Sequence, residues 1–305
     1  MISLVVCTYN RDRFIGTTLD RIASCTVPEE GFEIVLVDNN SSDSTASVCA
    51  SIAAAHPEVR YRYFLETSQG LSYARNRGIA EAEGDIIVFL DDDSFVEPDY
   101  LVRLSVRMAD YPDAAAFGGR IDPLFESGKA PEWLCKWTLS WVSAIDNGDV
   151  VSLFKGGKYP IGANMGFRSS VLKAMPGFDT SLGRTGKNLL GGEEKEIFGR
   201  ISSSGGLIYY FPDVRVQHVI PERRTTRDYI IRFARGIGYS EYVRCSRKGG
   251  SALLKRRFSE LVKWGATLVL WPLYLLRGRP ACGNALVLFR ANVSRGLFRP
   301  DSLEI

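Results

Sequence analysis

Ile86-Ile87-Val88-Phe89-Leu90-Asp91-Asp92-Asp93 is a short apolar run that ends in three consecutive carboxylates. A continuous apolar run of this length, rich in β-branched residues, reads as a fully buried strand. A strand that delivers its carboxyl end into an acidic cluster is suited to holding a divalent cation. Oxygen-rich sites favour hard ions such as Mg2+ and Mn2+, which keep waters and bind phosphates as well. The plain alternative is a solvated acidic turn. The pattern on either side decides between them.

Working back from Asp91, the first hundred residues alternate between strand and helix patterns. Ile2–Cys7, Glu33–Val37, Arg60–Leu65 and Asp85–Leu90 read as strands, and Asp12–Ser24, Ser44–Ala55 and Leu71–Ala82 as helices. Ser42 to Ser44 offer N-caps for the second helix. Short strands separated by helices of this length imply a parallel, doubly wound α/β sheet. Ligands of such sheets bind beyond the carboxyl ends of the strands. Polar residues stand at three of those ends: Thr8-Tyr9-Asn10, Asp38 and Asp91-Asp92-Asp93. Three strand ends aiming polar groups at one edge favour a site over an acidic turn. No G-x-G-x-x-G follows the first strand and no G-x-x-x-x-G-K-[ST] occurs, which disfavours a dinucleotide fold or a P-loop. Phosphates would have to be neutralised by a metal and basic side chains.

With 305 residues and 45% hydrophobic content, the chain can hold a sizeable core. Its six cysteines are scattered without a C-x-x-C pair, which argues against a disulfide framework or structural zinc and fits a reducing compartment. The first ten residues lack a basic region followed by a long apolar stretch, so no signal peptide is expected and a cytoplasmic location follows. The net charge of +3 conceals an asymmetry. Residues 1–220 carry 21 basic and 29 acidic side chains, whereas residues 221–305 carry 17 and 6, balances of −8 and +11. The break at Pro221 is the natural boundary: residues 1–220 form one domain, with halves 1–100 and 101–220, and residues 221–305 form a basic helical tail.

Between residues 111 and 221 the pattern is less regular. Pro131-Glu132-Trp133 opens an expected helix placing Trp133, Trp137 and Trp141 on one face, as core or as a platform for a sugar ring. Gly162-Ala163-Asn164-Met165-Gly166-Phe167 reads as a strand whose small residues permit close backbone approach. Gly183–Gly192 reads as a flexible stretch, and Glu193-Glu194 opens a helix, where acidic residues also suit the dipole. Glu196 and Arg200 are spaced for an i,i+4 ion pair. In the tail, the apolar segment Trp264–Leu276 contains a proline and is shorter than the roughly 20 residues needed to span a bilayer. Its basic flanks suit a helix lying on an anionic membrane surface, the alternative being a buried helix of a helical subdomain. No nucleic-acid motif accompanies the basic tail, so nucleic acid is not an expected partner.

Taken in order, these residues resemble the inverting, non-processive bacterial enzymes of glycosyltransferase family 2. The resemblance rests on Val5-Val6-Cys7-Thr8-Tyr9-Asn10-Arg11, Val35-Leu36-Val37-Asp38 through Asp43, Gly70-Leu71-Ser72-Tyr73-Ala74-Arg75-Asn76 and Phe89-Leu90-Asp91-Asp92-Asp93. Gly162-Ala163-Asn164 and Gly191-Gly192-Glu193-Glu194 continue it as far as about residue 220. It implies a GT-A fold, a Rossmann-like nucleotide-binding sheet with helices on both faces, and transfer of a sugar from a nucleotide-sugar to a glycan or lipid-linked acceptor. Thr8, Tyr9, Asn10 and Asp38 would line the base pocket, and Arg75 would lie near the base or diphosphate. Asp91 and Asp92 would seat the donor, and Asp93, with Asp91 and His218, would ligate Mn2+ or Mg2+.

The chemistry needs a base as well as a metal, because the attacking hydroxyl must lose its proton. Glu194 is the candidate, at a position where the family usually has Asp, and Glu193 is the second choice. Adjacent helical residues point about 100° apart, so the two are not expected to share the task. Trp133 and Asn164 are acceptor-side candidates. The Q-x-x-R-W motif and the long spans of processive synthases are both missing, which favours single additions by a peripheral enzyme at the inner face of the cell membrane. A non-catalytic nucleotide-sugar or glycan binder is the competing class. A sugar-1-phosphate nucleotidyltransferase is another, disfavoured because Thr8 to Arg13 contains no glycine.

Overall fold

A computed structural model describes residues 1–184 and 191–299 of the chain. Most of the stretch expected to be flexible between Gly183 and Gly192 therefore lies outside the described residues. The chain divides into two compact units: one comprises Met1–Leu124, Ser143–Ser181 and Glu193–Val219, the other Phe125–Val142, Leu182–Gly192 and Ile220–Ile305.

The first unit is built on a sheet that begins with β1 (Ile2–Thr8), α1 (Asp12–Ala23), β2 (Phe32–Asp38), α2 (Thr45–Ala55), β3 (Arg60–Leu65), α3 (Leu71–Glu81) and β4 (Ile86–Asp91). These seven elements match the alternation expected from sequence to within two residues. β1 pairs in parallel with β2 and β4, and β2 with β3. The chain then runs through β5 (Ser94–Val96), α4 (Tyr100–Asp110), β6 (Ala114–Phe125), β7 (Ser152–Leu153), β8 (Met165–Arg168), α5 (Ser169–Lys173), α6 (Glu193–Ser203) and β9 (Leu207–Ile220). Among the described residues the strand order is β3-β2-β1-β4-β8-β6-β9-β5, with β7 beside β9. The later strands are antiparallel: β8 to β4 and β6, β5 and β7 to β9. Only the first half of the sheet is thus parallel.

Alternation along β1 explains the layering. Ile2, Leu4 and Val6 pack into one core with Ile15 and Leu19 of α1 and Leu101 and Leu104 of α4. Val5 points the other way, into a second core with Ala74 and Ile79 of α3, Leu172 of α5 and Ile197 and Phe198 of α6. Both faces are covered, so the central strands read as continuous apolar runs. Gly162–Asn164 forms a 3-10 turn that feeds β8, where the sequence suggested strand throughout.

The second unit is helical: α7 (Arg227–Arg247), α8 (Gly250–Leu276) and α9 (Pro280–Phe298). α7 and α9 cross with their backbones in contact. A Cβ on Gly238 would lie 2.2 Å from Val293 O, and one on Gly296 would lie 2.2 Å from Arg235 O. The expected helix from Pro131 is replaced by turns and a 3-10 segment, Leu139–Val142. Side-chain bonds compete with helix there: Thr138 Oγ1 accepts from Cys135 N at 2.8 Å, and Trp133 Nε1 donates to Thr225 O at 3.1 Å. The three tryptophans consequently do not share a face. Trp141 stacks on Phe289 with centroids 4.1 Å apart, Trp133 leans on Trp141, and Trp137 is exposed beneath Lys136. Because Trp133 and Trp141 join the α7–α9 cluster, residues 125–142 belong to the helical unit, although they precede Pro221.

Candidate active site

Register brings the polar strand ends together. Thr8 lies opposite Asp38 across β1 and β2, and Cys7 opposite Asp91 across β1 and β4. The chain reverses at Asp92 and Asp93 into β5, whose Ser94 faces His218 of β9. Val219 N donates to Asp93 O at 3.0 Å, which fixes this reversal against β9. Antiparallel pairing thus delivers a histidine from far along the chain onto the triplet. His218 Nε2 lies 3.0 Å from Asp93 Oδ1 and 3.8 Å from Asp91 Oδ2.

Asp91, Asp93 and His218 each offer one ligand atom, and these atoms lie within 4.8 Å of one another. Asp93 and His218 are buried, and among the described residues His218 Nδ1 has no hydrogen-bond partner. Two carboxylate oxygens and an imidazole nitrogen fit a cation such as Mn2+, which accepts mixed oxygen and nitrogen ligands. Asp92 does not join this group. Its Oδ1 meets Arg11 Nε at 3.3 Å, while Arg11 Nη2 reaches Asp93 Oδ2 at 3.2 Å. Burial pushes the Asp92 carboxyl up to about 7, Arg11 opposes the rise, and Asp93 adds to it. The sequence assigns Arg11 no role, and its only signal is an arginine next to a strand end that faces an acidic triplet.

The base-pocket candidates hold the β1 and β2 loops together. Asp38 is buried, accepting from Ser41 N at 2.8 Å and from Tyr63 Oη at 2.7 Å. Asn10, at φ 54°, accepts from Ser42 N at 2.8 Å. Thr8 is buried beside them, and Tyr9 is exposed.

Arg75 is not placed as a group open to a ligand. It is buried on α3, where Nη1 meets Glu193 Oε1 at 3.1 Å and Nη2 meets Glu194 Oε1 at 3.2 Å. Nη2 also lies 4.0 Å from Asp91 Oδ1, and the guanidinium sits over the Phe178 ring. Both glutamates at the start of α6 thus converge on one cation, although adjacent helical positions diverge. Glu194 Oε1 further accepts from Gly162 N at 2.7 Å. A Cβ at Gly162 would come 2.0 Å from Arg75 Nη2 and 2.6 Å from Glu194 Oε1, so a larger residue there would displace this ion pair. Burial raises the Glu194 carboxyl from 4.5 to about 7, Arg75 opposes this, and Glu193 and Asp91 reinforce it. Asn164 is buried and faces the sheet. Its Oδ1 accepts from Tyr100 Oη at 2.8 Å, and its Nδ2 donates to Arg120 O and Val214 O at 3.1 and 2.8 Å. Those bonds commit the amide of Asn164, an acceptor-side candidate from the sequence, to the fold. Trp133 likewise serves the core of the helical unit. Glu196 and Arg200 form the expected ion pair at 2.8 Å.

Residues 3–175 match the family model for glycosyl transferase family 2, more than half of the chain. The chain belongs to that family. This family 2 glycosyltransferase is 27% identical over 245 residues to the glucosyl-dolichyl phosphate glucuronosyltransferase of Haloferax volcanii, covering 79% of this chain and 76% of the relative. It is 28% identical to the succinoglycan biosynthesis protein ExoM of Rhizobium meliloti, over 74% of this chain and 69% of that one. Among solved structures it resembles a mannosyltransferase of Pyrobaculum calidifontis in complex with GDP-Man and Mn2+, with a TM-score of 0.63 at 20% identity, covering 99% of this chain and 88% of that one. The fold is GT-A, and the protein is an enzyme of glycosyl transfer in glycan biosynthesis.

Proposed function

We propose that this glycosyltransferase is metal-dependent and inverting, and moves one sugar from a nucleotide-sugar, UDP-linked by preference, to a hydroxyl of a glycan or lipid-linked acceptor. The observation that carries the reading is the pairing of two acidic groups at one sheet edge with Arg75 between them. Asp91, Asp93 and His218 would hold Mn2+ or Mg2+. When bound there, the ion supplies charge compensation for the departing nucleotide diphosphate.

The chain's own residues do the rest. Glu194 takes the proton of the acceptor hydroxyl as that oxygen attacks the anomeric carbon opposite the leaving group, and a single displacement inverts the configuration. Glu194 is favoured over Glu193 because its side chain retains 19% exposure against 6%. Arg75 positions both carboxylates. Thr8, Tyr9, Asn10 and Asp38 border the base pocket, with Asp38 able to accept from a uracil N–H. Arg11 holds Asp92 and Asp93 in place.

The dolichyl phosphate named for the Haloferax relative supports a lipid-linked acceptor. Among the described residues no helix is long and apolar enough to cross a membrane. An acceptor of that kind places the enzyme at an anionic membrane surface on the cytoplasmic side, with the +11 balance of residues 221–305 in support. The test is calorimetry of UDP-, GDP- and dTDP-sugars with and without Mn2+, followed by turnover assays. Mn2+-dependent binding of a UDP-sugar is expected, with turnover lost in Asp93→Ala and Glu194→Gln. Turnover surviving in both variants would overturn the site, and tight binding without turnover on any acceptor would indicate a binding protein.

A further inference from the structure

α8 is amphipathic with its polarity inverted. The residues it buries are polar: Glu260 and Thr267, with Tyr274 completing a seven-residue repeat. Arg256 on the same side joins Glu260 at 3.0 Å and Glu241 of α7 at 2.7 Å. Arg290 of α9 reaches Glu260 at 3.0 Å, and Trp264 Nε1 donates to Ser294 Oγ of α9 at 2.9 Å. An ion and hydrogen-bond network therefore binds α8 to its neighbours. Its opposite side is apolar and open. Leu254, Phe258, Leu261, Leu268, Val269 and Leu276 are between 58% and 85% exposed. Their spacing keeps them on one stripe along a helix of 27 residues, roughly 40 Å at 1.5 Å per residue.

A stripe of that extent is large for water-facing surface and marks an interaction site. Lys255 is exposed beside it, and Arg277 and Arg279 are exposed just past its end. An apolar stripe with cationic edges complements a bilayer bearing anionic headgroups, where apolar side chains enter the acyl boundary and basic ones meet phosphates. Trp271 lies toward α9, where its Nε1 donates to Asn284 Oδ1 at 3.0 Å, and it lines an apolar groove of about 600 Å³ with residues of α7 and α9.

We infer that α8 lies in the plane of an anionic membrane with the Leu254–Leu276 stripe inserted, and that its buried Arg256–Glu260 side fastens the helical unit to it. This deepens the reading of a membrane-borne acceptor given above. It is tested without donor or acceptor, so either reading can fail alone. The full chain is floated with phosphatidylcholine vesicles and with vesicles that also contain phosphatidylglycerol. Partition into the anionic vesicles is expected, weakened by salt, and reduced more than about tenfold by Leu261→Glu with Leu268→Glu. Both positions are exposed, so the thermal midpoint of that variant should match the parent. Absence of partition, or partition unaffected by the paired glutamates, would overturn the inference. So would a parent dimer in solution that the paired glutamates convert to monomer, since a second copy would then be the occupant.

Discussion

In the proposed mechanism, Arg75 decides how Glu194 acts as the base. Its guanidinium opposes the rise that burial imposes on Glu194, so removing it should push that carboxyl above its value of about 7. A base must be ionised, and the Glu194-dependent rate is therefore lost as pH falls through its pKa. The transfer rate should have an acidic limb near pH 7, and Arg75→Met should move that limb to higher pH, so that the variant loses more activity at pH 7 than at pH 8.5. A limb that stays in place in Arg75→Met would remove Arg75 from this role. Glu194→Gln should lower kcat about 10²–10⁴-fold and abolish the limb, with nucleotide-sugar binding kept. Stability runs the other way. Because the folded-state value lies above 4.5, the folded protein holds this proton more tightly than the unfolded chain, and stability falls as pH rises from 4.5 through about 7. The pH that activates Glu194 is the pH at which its burial costs most.

At the scale of elements, Asn164 ties three segments together: Tyr100 at the start of α4, Arg120 of β6 and Val214 of β9. Asn164→Ala would leave a buried hydroxyl and two carbonyls without this partner, costing about 2–4 kcal/mol. A lowered midpoint of denaturant unfolding is expected, and a midpoint shift under 1 kcal/mol, as near-neutral surface changes give, would contradict it. The residue was legible as part of a motif but not in its role, because partners 44 to 64 positions away leave no local trace. The same contrast holds across the fold. β1 to β4 could be read because parallel strands buried on both faces are continuous apolar runs broken by amphipathic helices. The antiparallel half could not, since β5 and β7 are three and two residues long and take their order from β9. His218 is a lone histidine after a strand that only the family resemblance marks as a metal-side group, and its pairing with Ser94 is what puts it on Asp93. Trp133, Trp137 and Trp141 have helical spacing, yet Thr138 closes a turn on Cys135, Trp133 donates to distant Thr225, and the period carries no helix.

At the scale of the molecule, every residue of the proposed metal group and of the Arg75 cluster comes from the sheet-bearing unit, while Glu260 and its ion network belong to the helical one. A ligand that binds only the folded protein stabilises it by RT ln(1 + [L]/Kd), about 2.7 kcal/mol at a hundredfold excess over Kd. UDP with Mn2+ should therefore raise the thermal midpoint of the intact chain, and chelation should reverse the rise. Asp93→Asn removes a proposed metal ligand and should leave the midpoint indifferent to Mn2+. Glu260→Gln withdraws a buried partner from Arg256 and Arg290, so it should lower the starting midpoint while keeping the Mn2+-dependent increment. The two variants separate loss of a site from loss of stability, which a single midpoint cannot do. A Mn2+ increment that survived in Asp93→Asn would move the metal elsewhere in the chain. An increment lost in both would mean that the ion network of the helical unit is needed for the site to form. Truncating the tail cannot make this distinction, because residues 255–305 include the α9 face against which α7 packs and the glutamate that neutralises Arg290.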